Sequence, residues 1–347
     1  MASAPPDLPQ SIVLGAFDGI RNTVTEERLK QTELSAAVNV DIDDAGQLHR
    51  RRGRNRVDAA SYHSLTDLGD RHMVVRDGVL GFLSPGYAFT GLVSVGPEKL
   101  CYTRVGNTIY FTSRIASGKV VDDVLLPWGI EGAGEWISPV IRPTATLGAI
   151  SGKVLSAPPH ATEIEAYRGR IYLAAGPVLW ATELYLYDKV DLDKNFVVLE
   201  DDITMVRAVA DGLYVGTTRQ LIFLRGTLSE GLKHELVLDA PVIQGSAVLV
   251  PWSKVHPRAR TQPVPEGNGP VFMTGDGICL GLDGGEVYNL TQDHMVFPGA
   301  VSAAALYRED QGTNSYVAVT DSAGGPSANA RIGDYVDAEI VRASQGG

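Results

Sequence analysis

Residues 167–183 read YRGRIYLAAGPVLWATE, and this stretch is the strongest indication of the fold class. The pair Arg168-Gly169 precedes an apolar run centred on Tyr172, and Gly176-Pro177 separates that run from a second one. Short apolar and aromatic runs bounded by Gly and Pro are typical of strands joined by tight turns. The stretch therefore predicts a β-hairpin.

The same arrangement recurs along most of the chain. Turn residues precede an apolar or aromatic pair again at 76–82, 105–112, 210–217, 269–274 and 314–319. Units of four strands that repeat every ~40–45 residues, some lengthened by loops, are typical of propeller blades. We therefore predict an all-β fold, a β-propeller of about six or seven blades. A generic β-sandwich with recurrent hairpins is the alternative. The aromatic residues that mark the copies are Tyr110, Tyr172, Tyr214, Phe272 and Tyr316.

Three regions follow from this pattern. Residues 1–36 are predicted to form an extended N-terminal arm with a short helix, because prolines occupy its start and one helical pattern follows over 24–37. Residues 37–320 form the propeller body, with Pro/Gly-rich loop insertions at about 127–163 and 252–270. The Gly-, Ser- and Ala-rich segment 321–347 is predicted to be flexible or held by a partner.

Composition and charge exclude several classes of protein. The chain has 347 residues, of which 44% are hydrophobic, so it can bury a core and is not disordered as a whole. Its formal net charge of −11 argues against a protein that coats DNA through a basic surface. No stretch has the length of apolar residues that a signal peptide or a membrane span needs. We expect no membrane association.

Motifs for chemistry are missing from the sequence. Cys101 and Cys279 are the only cysteines, and they are predicted to be inert thiols. The acidic stretch 41–46 resembles the start of a calcium loop, but it lacks an oxygen ligand where Ala45 stands. Glu163 and Glu165 are paired carboxylates of the kind that glycosidases use, yet nothing in the sequence places them across a sugar. We predict no catalytic residues, no metal, no cofactor and no enzyme activity.

One basic run stands out in this acidic chain. Residues 49–57 contain Arg50, Arg51, Arg52, Arg54 and Arg56. They are predicted to form a clamp between chains or domains, with phosphate binding as the alternative. Because aromatic residues often anchor interfaces, Trp128 and Trp136 in the first loop insertion are predicted to be further subunit-interface residues.

Residues 15–57 carry a recognisable pattern. It opens with Gly-Ile-x-Asn, continues with Ala-x-Asn-Val-Asp-Ile-x-x-x-Gly and ends in Arg-Arg-x-Gly. The pattern resembles that of the tail nozzle, or DNA stabilisation, proteins of tailed bacteriophages, which are β-propeller virion proteins. Residues 166–183 and 203–226 are similar to the same group. The pattern is carried by Gly19, Ile20, Asn22, Ala37, Asn39, Val40, Asp41, Ile42, Gly46, Arg51, Arg52 and Gly53.

The resemblance implies a structural role in the viral tail. Such proteins form homo-oligomeric rings, commonly hexamers, that dock on portal, adaptor or other tail proteins. They help to retain double-stranded DNA and to conduct it at ejection, without sequence-specific binding. The protein would be made in the cytoplasm of the host bacterium and reside in the virion tail. The alternative is a host-surface propeller that binds glycans, with glycan hydrolysis as the weaker form of that alternative.

Overall fold

The structure is a computed structural model. It describes residues 16–37, 40–42, 47–50, 56–129, 136–137, 154–255, 267–292, 294–310, 313–322 and 336–339.

Two small sheets precede the blades, the first within the arm and the second directly after it. Strand β1 (Gly19–Ile20) pairs in parallel with β2 (Glu33–Leu34), and β3 (Val40–Ile42) pairs antiparallel with β4 (Leu48–Arg50). In the stretch for which the sequence predicted a short helix, the chain forms a three-residue 3-10 helix, Glu26–Arg28, between β1 and β2. That turn buries none of its residues, so no apolar face supports a longer helix. In the described part of the chain, no helix has the length and apolar character needed to cross a membrane.

Six antiparallel sheets follow the arm, and we number them blades one to six in chain order. Each of the first five has four strands joined to their sequence neighbours, and the sixth has three among the described residues. Blade one consists of β5 (Tyr62–Asp67), β6 (His72–Arg76), β7 (Val79–Leu83) and β8 (Phe89–Ser94), and blade two of β9 (Cys101–Val105), β10 (Thr108–Thr112), β11 (Ser117–Val121) and β12 (Val124–Leu126). A separate pair of strands follows, β13 (Trp136–Ile137) and β14 (Val154–Leu155). Blade three consists of β15 (Glu163–Tyr167), β16 (Arg170–Ala175), β17 (Val178–Ala181) and β18 (Phe196–Val198).

The second half of the molecule has the same plan. Two further 3-10 turns, Trp252–Lys254 and Asp283–Gly285, lie in the connections of blade five. The strands are β19 (Ile203–Ala208), β20 (Gly212–Thr217), β21 (Leu221–Arg225) and β22 (Lys233–Leu238) in blade four; β23 (Val248–Pro251), β24 (Asn268–Thr274), β25 (Gly277–Gly281) and β26 (Val287–Asn289) in blade five; and β27 (Ala300–Asp310), β28 (Thr313–Ser322) and β29 (Val336–Glu339) in blade six.

The first strand of every blade lines one central cavity. Sheets arranged around a shared cavity in this way make the chain an all-β propeller, as the sequence predicted. The five aromatic markers all fall on the second strand of a blade, from Tyr110 on β10 to Tyr316 on β28. The stretch at 76–82 is out of register with the other copies, because its turn joins the second and third strands of blade one.

Two predicted loop regions and the C-terminal segment differ in part from expectation. The first insertion contains the β13–β14 pair, in which Trp136 lies opposite Leu155. The second contains the 3-10 turn that follows β23. Residues 336–339 of the C-terminal segment pair with β28 of their own chain, so this part of the segment is a strand of blade six.

Buried apolar clusters join neighbouring blades. Phe82 and Phe111 belong to the cluster between blades one and two, and Tyr110 and Ile164 to that between blades two and three. Further clusters join blade three to four and blades four to six. Within the described residues no such cluster joins blade six to blade one, and Leu65 on β5 is 59% exposed. The buried clusters therefore link the blades in series from the first to the sixth.

We expect Gly269→Ala to destabilise blade five by about 1–3 kcal/mol, because it overfills a packed core. A methyl group on Gly269 would overlap the indole nitrogen of Trp252 and the carbonyl oxygen of Gly281. These two groups already form a hydrogen bond of 3.1 Å. Denaturant unfolding measures the effect. Gly275→Ala is the matched control, since nothing lies within 4 Å of its added carbon; equal stability of both variants would contradict the prediction.

Candidate functional site

The central cavity enclosed by the inner strands has a volume of about 1800 Å³. Its wall is made by the inner strands, so it combines side chains that are far apart in the sequence. Ligand sites in proteins are concave and bring together a few polar groups from different elements. The cavity is therefore the first region in which to look for chemistry.

Three charged side chains meet on the cavity wall. Glu163 and Glu165 alternate on β15 and so point to the same side of the strand. The Arg207 guanidinium on β19 lies 3.1 Å from the Glu163 carboxylate and 3.9 Å from that of Glu165. It also donates to the backbone carbonyls of Val206, at 2.7 Å, and Ala247, at 3.4 Å. Arg207 thus joins blades three and four and contacts the connection that leads into blade five.

Burial sets the proton affinities in this cluster. Removal from water raises the pKa of Glu165 to about 7, a shift that Arg207 opposes. The same cause raises the pKa of Glu163, again against the attraction of Arg207. Burial acts to lower the pKa of Arg207, but the two carboxylates outweigh burial and raise this pKa above its usual value. Glu165 is therefore a group that can take up or release a proton near neutral pH.

Lys99 reaches across one end of the cavity. Its ammonium group, on the connection between β8 and β9, lies 3.4 Å from the backbone carbonyl of Ala303 on β27.

The charges along the cavity wall balance, and so the acidity of the chain lies elsewhere on the molecule. Four acidic and four basic residues line the cavity: Asp58, Glu98, Glu163 and Glu165, with Lys99, Arg104, Arg114 and Arg207.

The two thiols fit no nucleophilic role. Burial raises the pKa of Cys279 to about 12 and that of Cys101 well above its usual value. A thiolate is the reactive form of cysteine, so both groups are unreactive near neutral pH. Across the described ranges, no group of three or more His, Cys, Asp or Glu side chains could hold a metal ion.

The arm is attached to the propeller through Asn22. The Asn22 side-chain amide donates to the Val296 carbonyl at 2.7 Å and accepts from the Val296 N–H at 2.9 Å. The backbone N–H of Asn22 donates to the His294 carbonyl at 2.9 Å. A side chain needs both a donor and an acceptor to pair with one residue's backbone in this way. Asn22 therefore fixes the arm to the connection between blades five and six.

Glu33 stabilises the same part of the arm. It is buried, accepts hydrogen bonds from the Lys30 N–H and from Arg21, and lies on β2 beside β1. The Lys30 N–H is the main cause that lowers the pKa of Glu33. Gly19 on β1 has a φ of +116°, a conformation that side chains rarely adopt. Both residues serve the geometry of the arm.

The hairpin β3–β4 follows the anchored part of the arm. Among the described residues it pairs with no strand of a blade, and Leu48, His49 and Arg50 are all exposed. Asp41 lies on β3.

The other predicted site residues divide into three groups. Trp136 lies on β13. The prediction that Trp128 is a subunit-interface residue does not fit the structure. Trp128 is buried, its indole N–H donates to the Tyr187 carbonyl at 2.9 Å, and its ring lies 5.2 Å from that of Tyr110. It packs between blades two and three and cannot anchor a neighbouring subunit. Outside the described residues lie Asn39, Gly46, Arg51, Arg52, Gly53 and Arg54.

Two contacts were not predicted from the sequence. The first is the ion pair of Arg207 with Glu163. The spacing of the two glutamates was a usable signal, because alternate residues of a strand share a face, but nothing in the sequence places Arg207 opposite them. The second is the contact between Asn22 and Val296. The family pattern singled out Asn22 and gave no indication of its partner.

Comparisons with known proteins extend no further than the fold. No protein-family model and no curated protein matches the chain. The extracellular domain of BT4673 from B. thetaiotaomicron is similar with a TM-score of 0.45 and 11% identity, over 76% of this chain and 31% of that one. The Pan2 WD40 domain of Neurospora crassa is similar with a TM-score of 0.41 and 8% identity, over 74% and 71% of the two chains. The chain thus spans less than a third of the first of these proteins, and it is similar to both in fold alone.

Proposed function

We propose that this protein is a structural component of the tail of a tailed bacteriophage, a ring-forming part of the tail channel. It would dock on portal, adaptor or other tail proteins and help to retain and conduct DNA. The pattern over residues 15–57 supports this proposal. Asn22, one residue of the pattern, has a defined structural role as the anchor of the arm.

One observation carries the proposal. The arm is fixed to the propeller at Asn22, the residues of β4 are exposed, and among the described residues β3 and β4 form no ladder with a strand of a blade. An anchored arm that is followed by an exposed strand and a basic run is suited to hold a neighbouring subunit. The residues that would hold it are Arg50, Arg51, Arg52 and Arg54.

The balanced charge of the cavity refines this proposal. The cavity wall would neither repel nor attract the phosphate backbone strongly. In this arrangement, DNA passes through the centre of a ring of subunits, and the acidic outer surfaces of the propellers face it. The cluster of Glu163, Glu165 and Arg207 on the cavity wall then serves to hold the blades together.

Replacing Arg50, Arg51 and Arg52 together by Ser tests the assembly role. We expect the monomer to stay folded, by circular dichroism, while the ring is lost from light scattering and the protein is no longer incorporated into particles. The matched control is Arg28→Ser with Arg104→Ser and Arg219→Ser, which removes the same charge from exposed positions. Normal incorporation of the first triple variant would contradict the proposal.

A second candidate function, binding of host-surface glycans, is favoured by two exposed aromatic residues. Tyr62 is 38% exposed, Tyr87 is 62% exposed, and both line the cavity. Aromatic faces beside polar groups suit sugar rings. A monomer that ignores virion particles and binds cell-wall saccharides saturably would make this the leading function.

A further inference from the structure

The outer edge of blade three has an unusual composition, and we name residues 183–202 the blade-three rim. It includes the connection between β17 and β18, strand β18, and the connection to β19. Two lysines and seven acidic residues lie in this stretch. The acidic residues are Glu183, Asp188, Asp191, Asp193, Glu200, Asp201 and Asp202. Among them, Asp191 is buried and Asp188 pairs with Lys119 at 2.6 Å, whereas Asp193 and Glu200 are exposed.

The rim is also apolar at its surface. Leu184, Tyr185 and Leu186 are consecutive and 45%, 72% and 48% exposed. Tyr185 has a φ of +59°, which is unfavourable for an aromatic residue, and its N–H donates to the Gly169 carbonyl at 2.7 Å. The fold therefore holds three large apolar side chains in water at one loop tip. Grouped exposure of this kind marks an interaction surface.

Strand β18 continues this surface. Phe196 and Val198 are 38% and 59% exposed and, as alternate residues, lie on one face of the strand. The Phe196 ring lies 5.3 Å from that of Trp180, which packs on the cluster between blades two and three. The face of β18 that carries Phe196 and Val198 is therefore on the side of blade two. Val124 is exposed on β12, the outermost strand of that blade. The rim thus combines exposed apolar side chains with acidic residues at both ends of β18.

We propose that the blade-three rim receives strand β4 and the basic run 49–57 of a second copy of this chain. Residues 49–57 hold five arginines and no acidic residue, and Leu48 before them is exposed. Their charge and apolar character complement those of the rim. The inference rests on the proposed ring assembly and names the surface that closes it.

The placement of the two surfaces suits a ring. The arm is anchored between blades five and six, whereas the rim lies on blade three. A contact between two different surfaces of identical subunits is head-to-tail, and such contacts close into rings when the rotation permits. A self-complementary dimer would instead require one surface to meet its own copy.

Charge reversal at the rim tests this inference. We expect Asp193→Lys with Glu200→Lys to leave a folded monomer, so that the mass measured by light scattering falls about sixfold if the ring is a hexamer. Adding Arg50→Glu, Arg51→Glu and Arg52→Glu to that variant should restore the ring, because the charges of both surfaces are then exchanged. The hairpin reversal alone should give a monomer.

The control lies on the neighbouring blade. Glu230 and Asp239 occupy the equivalent two connections of blade four, and both are exposed. Glu230→Lys with Asp239→Lys should therefore keep the mass of the unaltered ring. A rim-reversed chain that still forms rings would overturn the inference and leave the proposed function intact. An unaltered chain that forms no ring, alone or on virion fractions, would overturn both.

Discussion

Replacing Arg207 by methionine is expected to lower the free energy of unfolding by about 3–5 kcal/mol at pH 8, because it leaves a buried charge without its partner. Glu163 is buried and has its carboxylate 3.1 Å from the guanidinium of Arg207. Methionine fills much of the same space but provides no hydrogen bonds to Glu163 or to the carbonyls of Val206 and Ala247. Denaturant unfolding at a fixed pH measures the loss.

A second substitution distinguishes the charge effect from packing. Arg207→Met combined with Glu163→Gln should recover most of the lost stability, since removal of both charges of a buried pair costs far less than removal of one. Arg225→Met is the control, because its partners Glu235 and Asp211 form ion pairs in partly exposed positions. We expect a much smaller loss there. Equal losses at the two arginines would show that the cavity cluster has no special role in stability.

The second large effect concerns Glu165 and pH. Its pKa is raised from 4.5 to about 7 in the folded state, so folding favours the protonated carboxyl. The stability that this group contributes is greatest in acid and is lost as the pH rises from about 4.5 through 7. Glu165→Gln should therefore stabilise the protein by about 2 kcal/mol more at pH 8 than at pH 5.

Thermal or denaturant unfolding between pH 5 and pH 8 checks this dependence. The melting temperature of the unaltered chain should fall more steeply with rising pH than that of Glu165→Gln. Glu230→Gln provides the control, because it makes the same chemical change at an exposed position and should leave the slope unchanged. Parallel pH profiles for Glu165→Gln and the unaltered chain would refute the assignment.

The two effects have a common origin in the propeller. Three charges on the inner strands of blades three and four are removed from water at the point where the blades converge. Their mutual contacts offset part of the cost of burial, and the hydrogen bond to Ala247 reaches blade five. We expect the cluster to resist separation of the blades most strongly when Glu165 is protonated.

The hairpins of the chain were predictable because they depend on neighbouring residues. The turn at Gly176-Pro177 and the runs on either side form β16 and β17 as predicted. The aromatic markers identify the second strand of each blade because a buried sheet position selects large apolar side chains wherever it recurs. The register failed at residues 76–82, since an Arg-Asp-Gly turn joins any two strands equally well and does not reveal which pair it joins.

An all-β chain of repeated hairpins, the approximate number of blades and a basic segment near the start followed from the sequence alone, because turns and alternation act over a few residues. The packing of the blades was needed to establish that Trp128 lies in a core between two of them and that Arg207 meets Glu163. The same holds for the binding of Asn22 to the backbone of Val296. These contacts join residues separated by tens to hundreds of positions. The burial of Trp128, the pKa values of the glutamates beside Arg207 and the anchoring of Asn22 all depend on which parts of the chain lie next to one another. Those neighbours are brought together only when the blades pack.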